Sequence, residues 1–244
     1  MELVFHNSEF EQEVRRQLNV FDRAITDTDA LLVSELDLGN VWLADEDVDT
    51  LLYFRNLKSL SIDIKNQEPS FWMRFPKLED LCCGVWGDPV DFSVFSNMEN
   101  LAGLTVSGGD YSSVAFENLE ALIPLKKLEW LQLHEFGPVD LAPLGKMKQL
   151  KELLVCYSAE VKNIEIIGKM TQLKKLELKG LEVDNLDFLD TLPDDLDIKL
   201  CGIYIYGTKT VDVGKWKRFK KRDICEIEVK NLYWENVNLS ELND

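Results

Sequence analysis

The sequence predicts an α/β solenoid, a curved stack of short coils that each give one strand to a parallel concave sheet. Three observations predict it. The first is a hexad, L-x-x-L-x-L, that returns along the chain as VSELDL (33–38), LKSLSI (57–62), LEDLCC (78–83), LAGLTV (101–106), LEWLQL (128–133), LKELLV (150–155) and LKKLEL (173–178). Its central residues are Leu36, Leu60, Leu81, Leu104, Leu131, Leu153 and Leu176, and weaker copies centre on Leu196 and Ile227. The second is alternation within each hexad, which puts Leu, Ile or Val on one face of a strand and polar residues on the other. The third is the brevity of the segments between hexads, such as VDTLLYFRN, PSFWMRFPK and LAPLGKMKQ. They have room only for helical or 3₁₀ turns on the convex side. A period in the low twenties with this consensus is that of a leucine-rich repeat horseshoe. One coil cannot bury its own apolar face, but a stack buries a continuous column, and each fully buried Leu contributes about 1.5–3 kcal/mol.

Taken in order, residues 1–32 are expected to cap the open first coil. Phe10, Val14 and Leu18 stand at i, i+4 and i+8, the stripe a capping helix needs. Residues 33–200 carry the repeats. Residues 201–244 are expected to form a last coil and a β-rich C-terminal cap, with Ile and Tyr alternating in CGIYIYGTKTVDVGKW. No Pro/Gly/Ser linker interrupts the chain, so one domain over 1–244 is expected.

The stretch FHNSEFEQEVRRQLNVFDRAITDTDALLVSELDL, followed by the repeats, resembles bacterial leucine-rich repeat proteins of the internalin-like type. An aromatic residue, a polar turn, an amphipathic helix, Ile-Thr and an Asp-rich turn lead into the first strand, and the likeness runs from about residue 5 to 200. The resemblance implies a helical N-terminal cap and a protein-binding role, and is silent on the ligand. The chain departs from it in its irregular repeat lengths and in one column. The usual Asn after each strand is replaced by Val41, Lys65, Trp86, Gly109, Phe136, Ser158 and Leu181. Packing or backbone bonds must then hold the turns.

A formal net charge of −17 repels nucleic acid and anionic membrane and favours a basic partner. The five cysteines, at 82, 83, 156, 201 and 225, are odd in number and include no CxxC pair. Reduced thiols are therefore expected rather than a disulfide framework. The opening MELVFHNSEFEQEVRRQ lacks a basic-then-apolar signal, and no apolar run is long enough to span a membrane. Together these point to a cytoplasmic protein.

The side chains flanking the inward leucines should line the concave face. The column before the central Leu reads Glu35, Ser59, Asp80, Gly103, Trp130, Glu152, Lys175, Asp195 and Glu226. The column after it reads Asp37, Ser61, Cys82, Thr105, Gln132, Leu154, Glu177, Asp197 and Glu228. The third reads Gly39, Asp63, Gly84, Ser107, His134, Cys156, Lys179, Lys199 and Lys230. Trp130 and His134, with Leu154 and Cys156 on the next strand, should form an aromatic and apolar island. Gln132 lies within it, and Asp80, Glu152, Lys175 and Glu177 form its polar rim. An aromatic anchor inside a polar rim is the composition of a protein-binding hot spot.

Other chemistry is weaker in the sequence. His134 has no Ser or Cys–Asp arrangement around it that repeats a triad. Asp45, Asp47 and Asp49 alternate like the start of a calcium loop, but Thr50 stands where Gly is needed and Asn56 where Glu is needed, so a solvated acidic turn capping a short helix is expected instead. KWKRFKKR (215–222) reads as an amphipathic convex turn, with Trp216 and Phe219 buried and the basic residues solvated or paired to acids of neighbouring coils, rather than as a nucleic-acid or anionic-surface site. No zinc-ligand spacing occurs. The expectation is a monomeric, non-catalytic binding module without cofactor or metal, which takes a basic protein such as a toxin that it inhibits or confers immunity to. The alternative is a cell-surface adhesion protein whose signal peptide has been removed.

Overall fold

A computed structural model describes residues 1–65, 69–86, 89–108, 114–206, 211–230, 235–236, 239 and 242. Nine strands from the repeats lie side by side in parallel: β1 (Glu35–Trp42), β2 (Ser59–Lys65), β3 (Asp80–Trp86), β5 (Gly103–Ser107), β7 (Trp130–Asp140), β8 (Glu152–Lys162), β9 (Lys175–Val183), β10 (Asp197–Ile205) and β11 (Lys221–Val229). A short β12 (Glu235–Asn236) closes the far edge antiparallel to β11. Two further pieces, β4 (Val90–Asp91) and β6 (Phe116–Glu117), pair with each other, and Phe116 also pairs with Val139 of β7. This open parallel sheet is the leucine-rich repeat solenoid that the hexads predict.

The central leucines stack in register, Leu36 on Leu60, Leu60 on Leu81, Leu81 on Leu104, Leu104 on Leu131, Leu131 on Leu153 and Leu153 on Leu176. All are buried. Between strands the chain crosses the convex side in single turns, as the short segments predict. These are α3 (Asp45–Leu51), α4 (Pro69–Trp72) and 3₁₀ turns at Phe92–Phe95, Leu119–Leu122, Ala142–Lys146, Ile164–Lys169, Asp187–Thr191 and Val213–Arg218.

The first coil is covered by α1 (Ser8–Leu18), which buries Phe10 and Val14. Asn7 caps its start by accepting the N–H groups of Glu9 (2.9 Å) and Phe10 (3.0 Å). A second cap turn, α2 (Asp27–Ala30), has a reciprocal box between Thr26 and Asp29. Asp47, expected in a solvated acidic turn, is instead only 1% exposed, because it accepts the backbone N–H of His6 at 2.8 Å and so ties the cap to the first coil.

The sequence misplaces the last two coils. Leu176 pairs with Ile198, not Leu196, and Ile198 pairs with Arg222, far from Ile227. Leu196, Ile198 and Leu200 are all buried, so period-two alternation cannot tell which of them keeps the register. In the ninth coil Phe219 takes the first Leu position and Arg222 takes the central one. Its guanidinium donates to the carbonyls of Phe219 (3.1 Å) and Leu242 (2.6 Å), which a central Leu could not do at the end of a stack. Asp195, expected on the concave column, lies outside it and pairs with Lys174 at 3.0 Å.

The missing Asn column is replaced in two ways. At the expected sites Phe136 and Leu181 are fully buried, and Ser158 bonds like the Asn, donating to Gly137 O at 3.1 Å. Gly109 lies outside the described residues. A different set of amides ties coils together one residue before the first Leu of four hexads. Asn56 donates to Leu31 O (2.7 Å), Asn100 to Pro76 O (2.7 Å), Gln149 to Leu125 O (2.8 Å) and Gln172 to Met147 O (3.1 Å). Each side chain therefore satisfies a carbonyl of the previous coil.

Past the concave columns the chain turns a corner at a left-handed residue. Glu135 (φ 51), Tyr157 (φ 56), Gly180 (φ 59), Gly202 (φ 63) and Glu226 (φ 51) stand at this corner in five successive coils. Each is skipped in the pairing, so the corner is a stacked bulge. The strands then resume with a buried residue: Phe136, Ser158, Leu181, Ile203 and Ile227.

The basic run behaves as the amphipathic pattern predicts. Trp216 and Phe219 are buried, Lys215 pairs with Asp190 at 2.9 Å and Arg218 with Asp194 at 2.6 Å.

Candidate functional site

The concave face follows from the register. With the last coils corrected, its first column runs Glu35, Ser59, Asp80, Gly103, Trp130, Glu152, Lys175, Asp197 and Lys221. The second ends with Glu177, Lys199 and Asp223, and the third with Lys179, Cys201 and Cys225.

Trp130 sits mid-face and is half-buried. Its indole lies over Gly103 on the neighbouring strand, where a Cβ would overlap the ring. The glycine is thus required by contact, not by backbone conformation. The nitrogen side of the ring reaches on to Asp80, one strand further. That contact favours the Asp80 carboxylate, while burial, the larger effect, and then Glu79 push its pKa up. A second notch repeats the arrangement: the Asp63 carboxylate lies in the space a Cβ at Gly84 would need.

The other expected residues gather around Trp130. Gln132 and His134 are half-buried, and the imidazole Nε2 is 3.4 Å from Gln132 Oε1. Leu154, also half-buried, is in register with Gln132. Glu152 and Lys175 are exposed on the next two strands. Glu177 is half-buried, with Lys199 4.0 Å away; Lys199 is also 3.4 Å from Asp223. Cys156 is the exception. It occupies its expected column beside His134 but is only 2% exposed. A short thiol between the larger His134 and Lys179 is roofed over, so it offers no contact surface.

Charge is uneven across the face. Glu35, Asp37, Asp63 and Asp80 put carboxylates on the β1–β3 side. On the β9–β11 side acids and bases alternate: Lys175, Glu177, Lys179, Asp197, Lys199, Lys221 and Asp223. The acidic half is therefore the half before Trp130.

The Cys156–His134 neighbours are not set for nucleophilic chemistry. Burial pushes the Cys156 thiol up to about 12 and pushes the His134 imidazole down. Both are neutral near pH 7, the opposite of a thiolate–imidazolium pair. Among the described residues, no cluster of three His, Cys, Asp or Glu side chains could hold a metal ion.

The reduced-thiol expectation fails at one pair. Cys201 and Cys225 face each other in register on β10 and β11, with Cα atoms 4.7 Å apart, and form a disulfide. Misplacing the last two coils hid that both belong to one column. Cys82, Cys83 and Cys156 are free. The bond removes the cysteine argument for a reducing compartment.

Sequence reasoning also missed a flank surface beside the corner. Tyr206 donates its hydroxyl to Glu182 (2.9 Å), and Lys230 donates to that hydroxyl (2.9 Å) while lying over the Tyr204 ring (4.3 Å). Only the outward alternation of Tyr204 and Tyr206 in the sequence hinted at it. No described helix is long and apolar enough to cross a membrane.

No family model matches the chain, and no curated protein matches it in sequence. Solved structures do share its fold. An internalin (inlF) of Listeria monocytogenes str. 4b F2365 superposes with a TM-score of 0.61 at 15% identity, over 98% of this chain and 74% of the other. Internalin C2 (inlC2) of the same strain superposes with a TM-score of 0.63 at 16% identity, over 92% of this chain and 94% of the other. The Arabidopsis receptor kinase HAESA, solved with the peptide hormone IDA and the co-receptor SERK1, gives 0.58 at 19% identity, over 81% of this chain but 35% of the receptor. The likeness to internalins read in the repeats and N-terminal cap therefore holds at the level of fold.

Proposed function

We propose that this solenoid is a non-catalytic binding module that takes a basic protein on its concave face, centred on Trp130, Gln132, His134 and Leu154. The observation that carries the reading is the half-exposed indole of Trp130, seated on Gly103 in the middle of a concave sheet. A rigid aromatic anchor with a polar surround supplies most of an interface's energy from few residues. The carboxylates on strands β1–β3 would draw a basic partner and raise its on-rate at low salt. HAESA, of the same fold, was solved holding a peptide hormone, which supports a peptide or protein as ligand. An inhibitor or immunity protein that neutralises a basic toxin is the sharper form, and it rests on charge alone.

A second reading, a surface or secreted adhesion protein, is favoured by the Cys201–Cys225 disulfide, since such bonds persist in oxidising compartments. Alkylating the free thiols of the protein drawn from its native source, before and after reduction, decides the compartment. Two thiols that appear only on reduction favour this reading, and five from the start favour the cytoplasmic one.

The test of the binding surface is a pull-down from native extract with wild type and Trp130→Ala in parallel. A basic protein lost only from the variant supports the concave face. Identical captures with both overturn it.

A further inference from the structure

The centre of the concave face has a narrower chemistry than "aromatic". Along one column the order is Asp80, Gly103, Trp130, Glu152, each on the next strand. Gly103 lets the indole lie flat, so the ring bridges one strand and brings its nitrogen edge to Asp80. The result is an aromatic shelf with the Asp80 carboxylate at its nitrogen edge and Glu152 in register on the next strand behind it.

We propose that Trp130, Asp80 and Glu152 form a socket for an arginine side chain of a basic protein partner. The inference rests on the concave-face reading and names the group that the face receives.

Charge complementarity argues for a cation. The acids at the edge of these strands are matched within the protein, Glu79 by Lys58 at 3.0 Å and Glu129 by Lys151 at 2.6 Å. Among the described residues, neither Asp80 nor Glu152 has an ion-pair partner within 4 Å. The Asp80 carboxylate is disfavoured by its own burial and by Glu79, and an added cation would offset both by attraction. The carboxylate keeps acceptor sites beyond the one facing the indole.

Shape argues for arginine over lysine. A guanidinium is planar, stacks on an aromatic face and carries N–H groups in its plane that point outward at carboxylates. An aromatic shelf with a carboxylate at its edge suits that plane. An ammonium is a compact, strongly hydrated point charge and gains less from the shelf.

The test uses small probes on the whole protein, read by the indole N–H resonances in a two-dimensional nitrogen–proton spectrum. Trp130→Phe assigns the Trp130 signal. N-acetyl-arginine amide, N-acetyl-lysine amide and the neutral isostere N-acetyl-citrulline amide are titrated at low salt. The expected result is a saturable shift of the Trp130 signal with arginine, about fivefold tighter than with citrulline or lysine. Asp80→Asn should weaken the arginine response by a similar factor while the backbone spectrum stays folded. Equal responses to arginine and citrulline, or to arginine and lysine, overturn the socket. So does an arginine response unchanged in Asp80→Asn. If the socket fails while Trp130→Ala still loses its partner in the pull-down, the concave-face reading stands without it. If the pull-down fails and arginine still binds, the site takes a ligand other than that partner.

Discussion

Asp47 and His6 join two parts of the chain 41 residues apart: the carboxylate of the first convex helix accepts the backbone N–H of the N-terminal segment at 2.8 Å. Thr50, one turn on, adds a hydroxyl donated to Val4 O at 2.8 Å. The cap is therefore held by part-buried polar bonds as well as by Phe10 and Val14. Replacing Asp47 with Ala removes a part-buried hydrogen bond to a carboxylate and should cost about 1–3 kcal/mol. Asp47→Asn keeps a carbonyl acceptor and should cost less. Urea unfolding of both variants, with amide exchange at residues 3–10, checks the order.

Gly103 is expected to tolerate no side chain while Trp130 keeps its seat. Gly103→Ser should lift the indole off the sheet, lose partner binding to the same degree as Trp130→Ala, and cost about 1–3 kcal/mol by overpacking. Combining Gly103→Ser with Trp130→Ala should restore most of that stability, because the clash is then gone. A double-mutant cycle of unfolding free energies tests this, and strict additivity would refute the contact.

Reduction of Cys201–Cys225 should weaken one end of the molecule only. The bond closes a chain separation of 24 residues and is worth about 3 kcal/mol to the coils it joins. Because each coil contacts only its neighbours, amide protection should fall in β10 and β11 and stay unchanged in β1–β3. Exchange measured with and without reductant, and in Cys201→Ser, gives the comparison.

The cap also carries a pH dependence. Arg23 foremost, then the Thr26 hydroxyl and backbone N–H, hold the Asp29 carboxyl well below the usual carboxylate range. A depressed folded-state pKa contributes stability that is complete above the unfolded value near 3.9 and is lost as pH falls through the folded value. The wild-type melting temperature should therefore drop more steeply below about pH 4 than that of Asp29→Asn. Parallel slopes from pH 6 to 2 would contradict the assignment.

The amide ladder predicts modest, local losses. Asn100→Ala removes the bond to Pro76 O and should cost about 0.5–1.5 kcal/mol. Gln172→Ala should behave alike, since Gln172 bonds Met147 O in the same way. Chemical denaturation distinguishes this from no effect.

The fold was legible because its physics is periodic. Seven central leucines fix strand, face and stacking, and Phe10 with Val14 fix the cap. The sequence fails where period-two alternation is degenerate, as at Leu196, Ile198 and Leu200, and where a terminal coil swaps Leu for Arg222. That slip concealed the disulfide, because Cys201 and Cys225 share a column only in the true register. Trp130, Gln132, His134 and Leu154 were readable as surface positions by alternation alone. The burial of Cys156, the seat at Gly103 and the reach of the indole to Asp80 were not, since they depend on how side chains lean between strands. Asp47 likewise looks like a solvated acid until its distant donor is known.

The stacked left-handed corner has a bearing on how such a chain can change length. From Leu131 to Glu135, Leu153 to Tyr157, Leu176 to Gly180, Ile198 to Gly202 and Arg222 to Glu226 the interval is the same, while the distance from one strand to the next varies. Insertions and deletions in these coils are therefore absorbed after the bend, on the outer arc. The inner arc can then trade residues for a new partner without its spacing being disturbed.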